Sequence, residues 1–210
     1  MMKRFIFSIF LLPLLLASPQ TKAQGIMLTP KWTAQAQFTG YYVADKLGFY
    51  KEEGIDVCVQ HPAISESSFS FMEKGRAPVV IMNLSYAFME RLAGARVVNV
   101  MQTSQENSLM LISHSPLKGE ESLRNQKIAV WNHLSQKLLD RLAEHYALKQ
   151  VEWIRFNSGV NVFLSGAADP CLVGSYNEYL QLSEYGMNVD SIYSIRLADY
   201  GYNLPEDGLY

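Results

Sequence analysis

The chain has 210 residues, of which 49% are hydrophobic and 18% are charged, and its 18 basic and 20 acidic side chains give a formal charge of −2. This is an ordinary globular composition, and the length is sufficient to bury a core without disulfides or a structural metal. The mildly acidic balance and the lack of a basic run argue against nucleic-acid binding, and the low charged fraction argues against a disordered chain.

The N-terminus has the three-part pattern of a secretory signal. A basic Met-Met-Lys-Arg start precedes an apolar stretch over 5–17, and Ala23 offers a cleavage point. The alternative is a membrane anchor, but the stretch contains Pro13 and is shorter than the roughly 20 residues that span a bilayer. We therefore expect residues 1–23 to be a cleaved signal peptide and the mature chain to be periplasmic and not membrane-spanning. Cleavage removes three basic and no acidic residues, which leaves a formal charge of −5.

Short β-rich runs alternate with helical patterns along the chain, which is typical of α/β proteins with mostly parallel sheets. The candidate strands are 26–32, 55–60, 78–82, 96–103, 108–113, 127–131, 151–155, 170–173 and 191–197. The helical patterns lie near 38–49, 66–75, 85–93, 135–147, 159–165 and 175–185. The pattern over 135–147 is the clearest, because its apolar residues recur at helical spacing. The closing residues, 203–210, show no regular pattern.

A turn-rich segment at 113–119 separates two series of strands and helices. We expect lobe 1 over 24–115 and lobe 2 over 116–190. The segment 191–210 is expected to contain a return strand to the first lobe and the start of the C-terminal part of lobe 1.

Cysteine and histidine usage does not indicate a metal site or a common hydrolase. Cys58 and Cys171 fall in different expected lobes, which favours two separate buried thiols over the disulfide that export would permit. The sequence contains no GxSxG, GxxxxGK[ST], GxGxxG or HExxH motif. His133 is a candidate catalytic residue, although a surface or capping role is the simpler interpretation. The histidines are scattered and lie at positions 61, 114, 133 and 145.

The densest group of candidate binding side chains follows the first predicted strand. Trp32, Phe38 and Tyr41 lie among several amide and hydroxyl side chains, in a loop that leads into a helix. Loops at the carboxyl ends of parallel strands line the ligand crevice of open α/β sheets, so these rings are candidates to stack on a flat heterocycle. The alternative is that the rings pack the helix on the sheet, and for Phe38 the two interpretations are balanced.

Three further strand-to-helix junctions carry side chains that would face the same crevice. They are Asn83 and Ser85 after one strand, Trp131, Asn132 and His133 after another, and Asn177 and Glu178 after a third. Polar side chains at a helix start suit a polar ligand group, but the same residues also serve as helix caps. Glu178 has a second alternative, because a carboxylate in the first turn stabilises the helix dipole.

Five segments together resemble one known family. Residues 32–44, continuing through 48–57, resemble the N-terminal signature of the NMT1/THI5-like (SsuA/THI5-like) family of periplasmic substrate-binding proteins, in its thiamine-pyrimidine-precursor-binding branch. The similarity recurs in 176–179, in 199–202 and in 205–210, so it covers essentially all of the expected mature chain.

The resemblance implies a type II periplasmic-binding-protein fold, with two α/β lobes that close on a ligand in the cleft between them. It implies an exported substrate-binding protein that delivers its ligand to the permease subunits of an ABC importer, without a cofactor. By similarity, Trp32 and Tyr41 would border an aminopyrimidine and Glu178 would accept a hydrogen bond from its amino group.

Several alternatives remain within this resemblance. The fungal branch contains pyrimidine synthases that carry a CCCFC segment and consume a histidine and bound pyridoxal phosphate, and this chain has no such segment. Other members bind alkanesulfonates, taurine, nitrate or flavin precursors, and a sensor domain of a signalling system is a further alternative. Family members usually continue beyond a segment like 205–210 with helices that complete the first lobe, so the resemblance implies that this part of lobe 1 is missing.

Overall fold

The computed structural model describes residues 25–118, 123, 125–131, 140, 143–144, 151–201 and 203–210. The expected signal peptide, Asn132 and His133 lie outside the described residues, as does most of the helix predicted over 135–147. The strands are β1 (Ile26–Thr29), β2 (Val57–Val59), β3 (Val79–Asn83), β4 (Met101–Gln102), β5 (Leu109–Ser113), β6 (Lys127–Trp131), β7 (Glu152–Phe156), β8 (Cys171–Gly174), β9 (Tyr193–Arg196) and β10 (Asp207–Leu209). The helices are α1 (Thr39–Leu47), α2 (Phe49–Glu52), α3 (Ser68–Glu73), α4 (Leu84–Leu92), α5 (Asn161–Leu164) and α6 (Glu178–Glu184).

The strands form two five-stranded sheets with the same internal plan. The first sheet has the order β2-β1-β3-β10-β4 and the second has the order β7-β6-β8-β5-β9. In each sheet the strand in fourth position runs antiparallel to both of its neighbours. That strand reaches its sheet through a crossing segment, 103–108 into the second sheet and 197–206 back into the first. This arrangement of two α/β units joined by two crossing segments is the type II binding-protein fold expected from the sequence.

The sheet membership of two strands differs from the lobes expected from the sequence. The expected boundary after residue 115 places β5 in the first lobe, but β5 pairs with β8 and β9 in the second sheet. The run over 191–197 was expected to return the chain to the first lobe, but β9 lies at the edge of the second sheet. The turn-rich segment at 113–119 marks the end of an antiparallel strand within the second unit, and such a turn looks the same in sequence as a lobe boundary.

The strand that returns to the first sheet is β10, which lies in the segment expected to be irregular. Leu209 pairs with Ile81 and Gly208 pairs with Met82. A Cβ at Gly208 would lie 2.8 Å from Oε1 of Gln102 and 2.9 Å from Nδ2 of Asn99, so a larger residue would displace the ends of these two side chains. Glycine is depleted in strands, and its presence here hides the strand pattern.

Each sheet has an apolar core. The core of the second sheet includes Ile112, Val130 and Phe163, which are almost fully buried. On one face of the first sheet Val80 and Met82 pack against α3, α4 and the ring of Tyr210, and on the other face Ile81 packs with Phe38. Among the described residues, no helix is long and apolar enough to cross a bilayer.

The two cysteines are both free thiols in different sheets. Cys171 is buried as expected, and burial raises the pKa of its thiol to about 12. Cys58 is exposed, so the expectation that both thiols are buried is wrong for this residue. The reason is that β2 is an edge strand and is only partly covered.

Candidate functional site: a cavity at the crossing segments

A cavity of about 800 Å³ lies where the first sheet meets the crossing segments. One wall is apolar and is formed by side chains of the first sheet, among them Leu28, Val79 and Leu209. The other end is polar and includes Ser108 and Asp207 from the crossing region. The second unit contributes Ser175 and Tyr176, which follow β8. A cavity of this size, with apolar walls and a few polar groups, is typical of a small-molecule site.

The two crossing segments are joined by hydrogen bonds next to this cavity. The carbonyl oxygen of Asp207 accepts hydrogen bonds from the backbone N–H groups of Thr103, at 2.9 Å, and Ser104, at 3.0 Å. In return, Oγ of Ser104 accepts hydrogen bonds from the N–H groups of Glu206 and Asp207, each at 3.2 Å. The polar end of the cavity is therefore built on the connection between the two units, where a ligand would contact both.

Charged side chains meet at the polar end. The ammonium group of Lys31 contacts the carboxylate of Asp207 and the side-chain oxygen of Asn83. The carboxylate of Glu206 accepts a hydrogen bond of 2.9 Å from the hydroxyl of Ser108. One lysine thus faces two carboxylates, and this part of the site has an excess of negative charge.

Burial raises the pKa of Glu206 above its ordinary value of 4.5, although Lys31 and the Ser108 hydroxyl oppose the shift. The folded protein then binds this proton more tightly than the unfolded chain, so ionisation of Glu206 costs stability as pH rises above about 4.5. We expect the melting temperature of wild type to fall relative to that of Glu206→Gln as pH increases through this range. Thermal melts of both proteins over the pH series measure this difference.

The matched control for this prediction is Glu106→Gln. Glu106 is exposed and pairs with Arg196 at 3.1 Å, so the same chemical change is made without burial. If wild type gained stability relative to Glu206→Gln with rising pH, or if the two proteins differed by a constant amount, the burial of Glu206 would not control its ionisation.

Two tyrosines border the cavity from opposite units. Tyr41 was predicted as a site residue, and it lines the cavity from α1 with a half-buried ring. Burial raises the pKa of Tyr41, while a hydrogen bond with Thr103 opposes the shift. Burial also raises the pKa of Tyr176, and the carboxylates of Glu206 and Asp207 add to this effect. Both phenol groups therefore stay protonated at neutral pH and are available as hydrogen-bond donors.

Glu178 lies at the start of α6, where its carboxylate accepts hydrogen bonds from the protein itself. Oε2 accepts from the backbone N–H of Gly174 at 3.0 Å. Oε1 accepts from the indole Nε1–H of Trp131 at 3.3 Å and from Nδ2 of Asn177 at 3.1 Å. The side chain is 5% exposed. These bonds hold the turn after β8 against the end of β6, so the carboxylate has a structural role in addition to the ligand contact that the resemblance implies.

Five further predicted site residues lie either in the apolar cores or at the starts of helices. Phe38 is fully buried and packs in the core of the first sheet. Trp131 is 8% exposed and belongs to the core of the second sheet. Asn83 occupies the N-cap position of α4 without a side-chain capping bond, and Ser85 is exposed in the first turn of that helix. Asn177 occupies the N-cap position of α6 and accepts a hydrogen bond from Gln181 at 3.0 Å.

Trp32 lies directly after Lys31, in the loop between β1 and α1, and its side chain is half-buried. Its backbone is in the left-handed region, with φ at +59°. An aromatic residue rarely adopts this conformation, because its Cβ approaches the following carbonyl oxygen. The loop predicted to bind a ligand is therefore strained at the residue expected to make the contact.

Sequence reasoning missed several polar residues of the cavity, namely Ser108, Tyr176, Glu206 and Asp207, and it also missed Lys31, which contacts Asp207. Tyr176, Glu206 and Asp207 lie in segments that carry the family resemblance, so a signal was present for them. Lys31 and Ser108 are adjacent to strands but belong to no motif, and their role depends on the sheet order.

Comparisons with known proteins agree with this fold. A family model described as NMT1/THI5 like matches residues 35–210. The chain is 24% identical over 189 residues to the putative binding protein YtlA of Bacillus subtilis (strain 168), covering 84% of this chain and 54% of that protein. It is 19% identical over 160 residues to the 4-amino-5-hydroxymethyl-2-methylpyrimidine phosphate synthase THI13 of Saccharomyces cerevisiae, covering 73% of this chain and 47% of that protein. The chain spans about half the length of these curated relatives.

Solved structures share the architecture. The periplasmic aliphatic sulphonate binding protein SsuA from Escherichia coli matches with a TM-score of 0.63 and 16% identity, over 88% of this chain and 60% of that chain. A protein from Bordetella bronchiseptica RB50 matches with a TM-score of 0.63 and 19% identity, over 88% of this chain and 63% of that chain. At this level of identity, the matches show a shared fold.

Proposed function

Because the chain belongs to the NMT1/THI5-like family, we propose that it is an exported substrate-binding protein of an ABC importer and that its ligand is a thiamine pyrimidine precursor. The ligand is an aminopyrimidine held between the two units. Closure of the units around it forms the surface that docks on the permease subunits. The protein performs no chemical step on the ligand.

The observation that carries this proposal is the cavity at the crossing segments. It combines groups from the first unit, from both crossing segments and from the second unit, represented by Tyr41, by Ser108 and Glu206, and by Tyr176. A ligand in contact with all of these groups binds a closed arrangement of the units more tightly than an open one. Such differential affinity is the requirement for a ligand-driven closure.

The charge at the polar end supports a ligand that donates hydrogen bonds. An exocyclic amino group suits the carboxylates of Glu206 and Asp207, and a flat ring suits the neighbouring tyrosines. An alkanesulfonate would bring a further anionic group to these carboxylates, which is unfavourable in a partly buried site, and the sulfonate of taurine meets the same repulsion although its ammonium group could pair with a carboxylate. The proposed ligand class is therefore an aminopyrimidine in preference to a sulfonate.

The enzyme alternative is favoured by the similarity to the yeast synthase, whose name specifies formation of a pyrimidine phosphate. We favour a binding protein, because the chain lacks the CCCFC segment of that branch and begins with a signal-like pattern. The synthase alternative also needs a histidine that reacts. Among the described residues, His61 contacts Tyr42 and the carbonyl oxygen of Trp32, and His114 pairs with Asp169, so both are held by protein groups.

We expect the full chain to bind 4-amino-5-hydroxymethyl-2-methylpyrimidine in a calorimetric titration and to bind taurine much more weakly or not at all. Pyridoxal phosphate and riboflavin complete the panel, because they represent the synthase and flavin-precursor alternatives.

Asp207→Asn should weaken pyrimidine binding by about tenfold, which corresponds to roughly 1.4 kcal/mol. Asp190→Asn is the matched control, because Asp190 is exposed in the second unit.

Binding of taurine in preference to the pyrimidine would contradict the proposed ligand class. Stoichiometric binding of pyridoxal phosphate would support the synthase alternative. Equal pyrimidine affinity in Asp207→Asn and Asp190→Asn would show that the ligand does not contact the polar end of the cavity.

A further inference from the structure

The strained loop at Trp32 is held by a histidine that the proposed function does not use. Nδ1 of His61 lies 2.7 Å from the carbonyl oxygen of Trp32. A carbonyl oxygen only accepts hydrogen bonds, so Nδ1 carries the proton and donates it to this bond. His61 follows β2 and Trp32 follows β1, so the bond joins two neighbouring loops at the carboxyl edge of the first sheet.

The imidazole is itself fixed by its surroundings. With Nδ1 protonated, Nε2 of the neutral ring accepts a hydrogen bond from the hydroxyl of Tyr42 on α1, at 2.5 Å. The ring also packs against Phe38, with the ring centroids 5.2 Å apart. The chain of contacts from Tyr42 through His61 to Trp32 therefore anchors the loop to the first helix and to the core.

We propose that His61 is a positioning residue that holds Trp32 in its left-handed backbone conformation and so fixes the loop from which the preceding Lys31 contacts Asp207 at the cavity. A left-handed residue with a side chain persists only when its surroundings enforce it, and such strain concentrates at ligand sites. The hydrogen bond from His61 to the Trp32 carbonyl oxygen provides such an enforcing contact. The inference rests on the proposed function in so far as the loop that carries Lys31 and Trp32 shapes the ligand site, whereas the backbone constraint can be tested without any ligand.

The ligand-free test compares glycine with alanine at position 32. Both substitutions remove the indole, but glycine adopts positive φ without cost and alanine does not. In a protein with His61 intact, the folded-to-unfolded ratio of Trp32→Gly should exceed that of Trp32→Ala by at least about fivefold. In a His61→Leu background the loop relaxes, and the advantage of glycine should disappear or reverse, because glycine is otherwise the more costly residue. Denaturant melts of the four proteins measure these ratios.

The conservative variant His61→Asn tests the hydrogen-bond donor at Nδ1 separately from the other contacts of the imidazole ring. Nδ2 of asparagine can replace Nδ1 of histidine as the donor, whereas asparagine and leucine both lose the contact with Tyr42. The advantage of glycine over alanine should therefore be retained in His61→Asn. An advantage of equal size in the His61→Leu and wild-type backgrounds would overturn the proposal.

A second readout is the affinity for 4-amino-5-hydroxymethyl-2-methylpyrimidine, measured where each variant remains folded. His61→Leu should weaken binding by at least about fivefold, and His61→Asn should stay within about twofold of wild type. His114→Leu is the control, because His114 lies in the second unit, where it stacks on Phe163 at 4.1 Å and lies 3.4 Å from Asp169, and it does not line the cavity. Equal affinity in His61→Leu and His114→Leu would overturn the link to the ligand. If wild type does not bind the pyrimidine, the proposed function fails, while the comparison of glycine with alanine still decides the role of His61.

Discussion

Replacement of Phe38 by alanine should lower the free energy of unfolding by about 3–5 kcal/mol. Phe38 is 0% exposed and packs with Leu28 and Ile81 between α1 and the first sheet, so truncation removes apolar contacts and leaves a cavity. The ring was a candidate for stacking on a ligand, but complete burial in the core explains its position without one. Denaturant unfolding of wild type and variant measures the change.

The matched control is Phe88→Ala. Phe88 lies on α4 and is 60% exposed, so the same truncation should change stability by less than about 0.5 kcal/mol. If Phe38→Ala were as stable as Phe88→Ala and lost affinity for the pyrimidine, the core interpretation of Phe38 would be wrong and the stacking interpretation would return.

Replacement of Glu178 by glutamine should lower the free energy of unfolding by about 2–3 kcal/mol. The two carboxylate oxygens accept from donors on both sides, namely Gly174 on one oxygen and Trp131 and Asn177 on the other. Glutamine has only one side-chain oxygen, so its NH2 group must face an N–H donor, and a buried donor loses its acceptor. Thermal or denaturant unfolding measures the loss.

Glu184→Gln controls for the change of charge on the same helix, since Glu184 is exposed at the end of α6. The position of Glu178 in the first turn also favours the carboxylate through the helix dipole, but that contribution is smaller than the loss of a buried hydrogen bond. Equal stability of the two variants, combined with a tenfold loss of pyrimidine affinity in Glu178→Gln alone, would show that Glu178 acts on the ligand and not on the turn.

The sequence located the general region of the site but few of its residues, because the rule that loops at the carboxyl ends of strands line the crevice depends only on the order of strand, loop and helix. Tyr41 lies beside the cavity for this reason, and Asn83 lies at the end of β3 next to Lys31 and Asp207. The alternation of strands and helices was sufficient to predict an α/β fold, whereas the division into two units was predicted from the turn-rich segment at 113–119, which lies within the second unit.

The parts that could not be predicted depend on contacts between distant segments. The partner of Glu178 is Trp131, which is 47 residues away, and only the parallel order of β6 and β8 brings them together. Asp207 enters the site on β10, whose pattern is obscured by Gly208. The place of β5 in the second sheet follows from antiparallel pairing with β8 and β9, for which a single strand carries no local signal.

Small-angle X-ray scattering of the full chain during a titration with 4-amino-5-hydroxymethyl-2-methylpyrimidine tests most directly whether a ligand closes the two units. If the pyrimidine binds between the units, the radius of gyration should fall in step with the bound fraction, because the ligand stabilises the closed arrangement. Taurine in the same titration should leave the radius unchanged. A saturating pyrimidine signal without any change in radius, or a decrease produced by taurine and not by the pyrimidine, would contradict the proposed mode of binding.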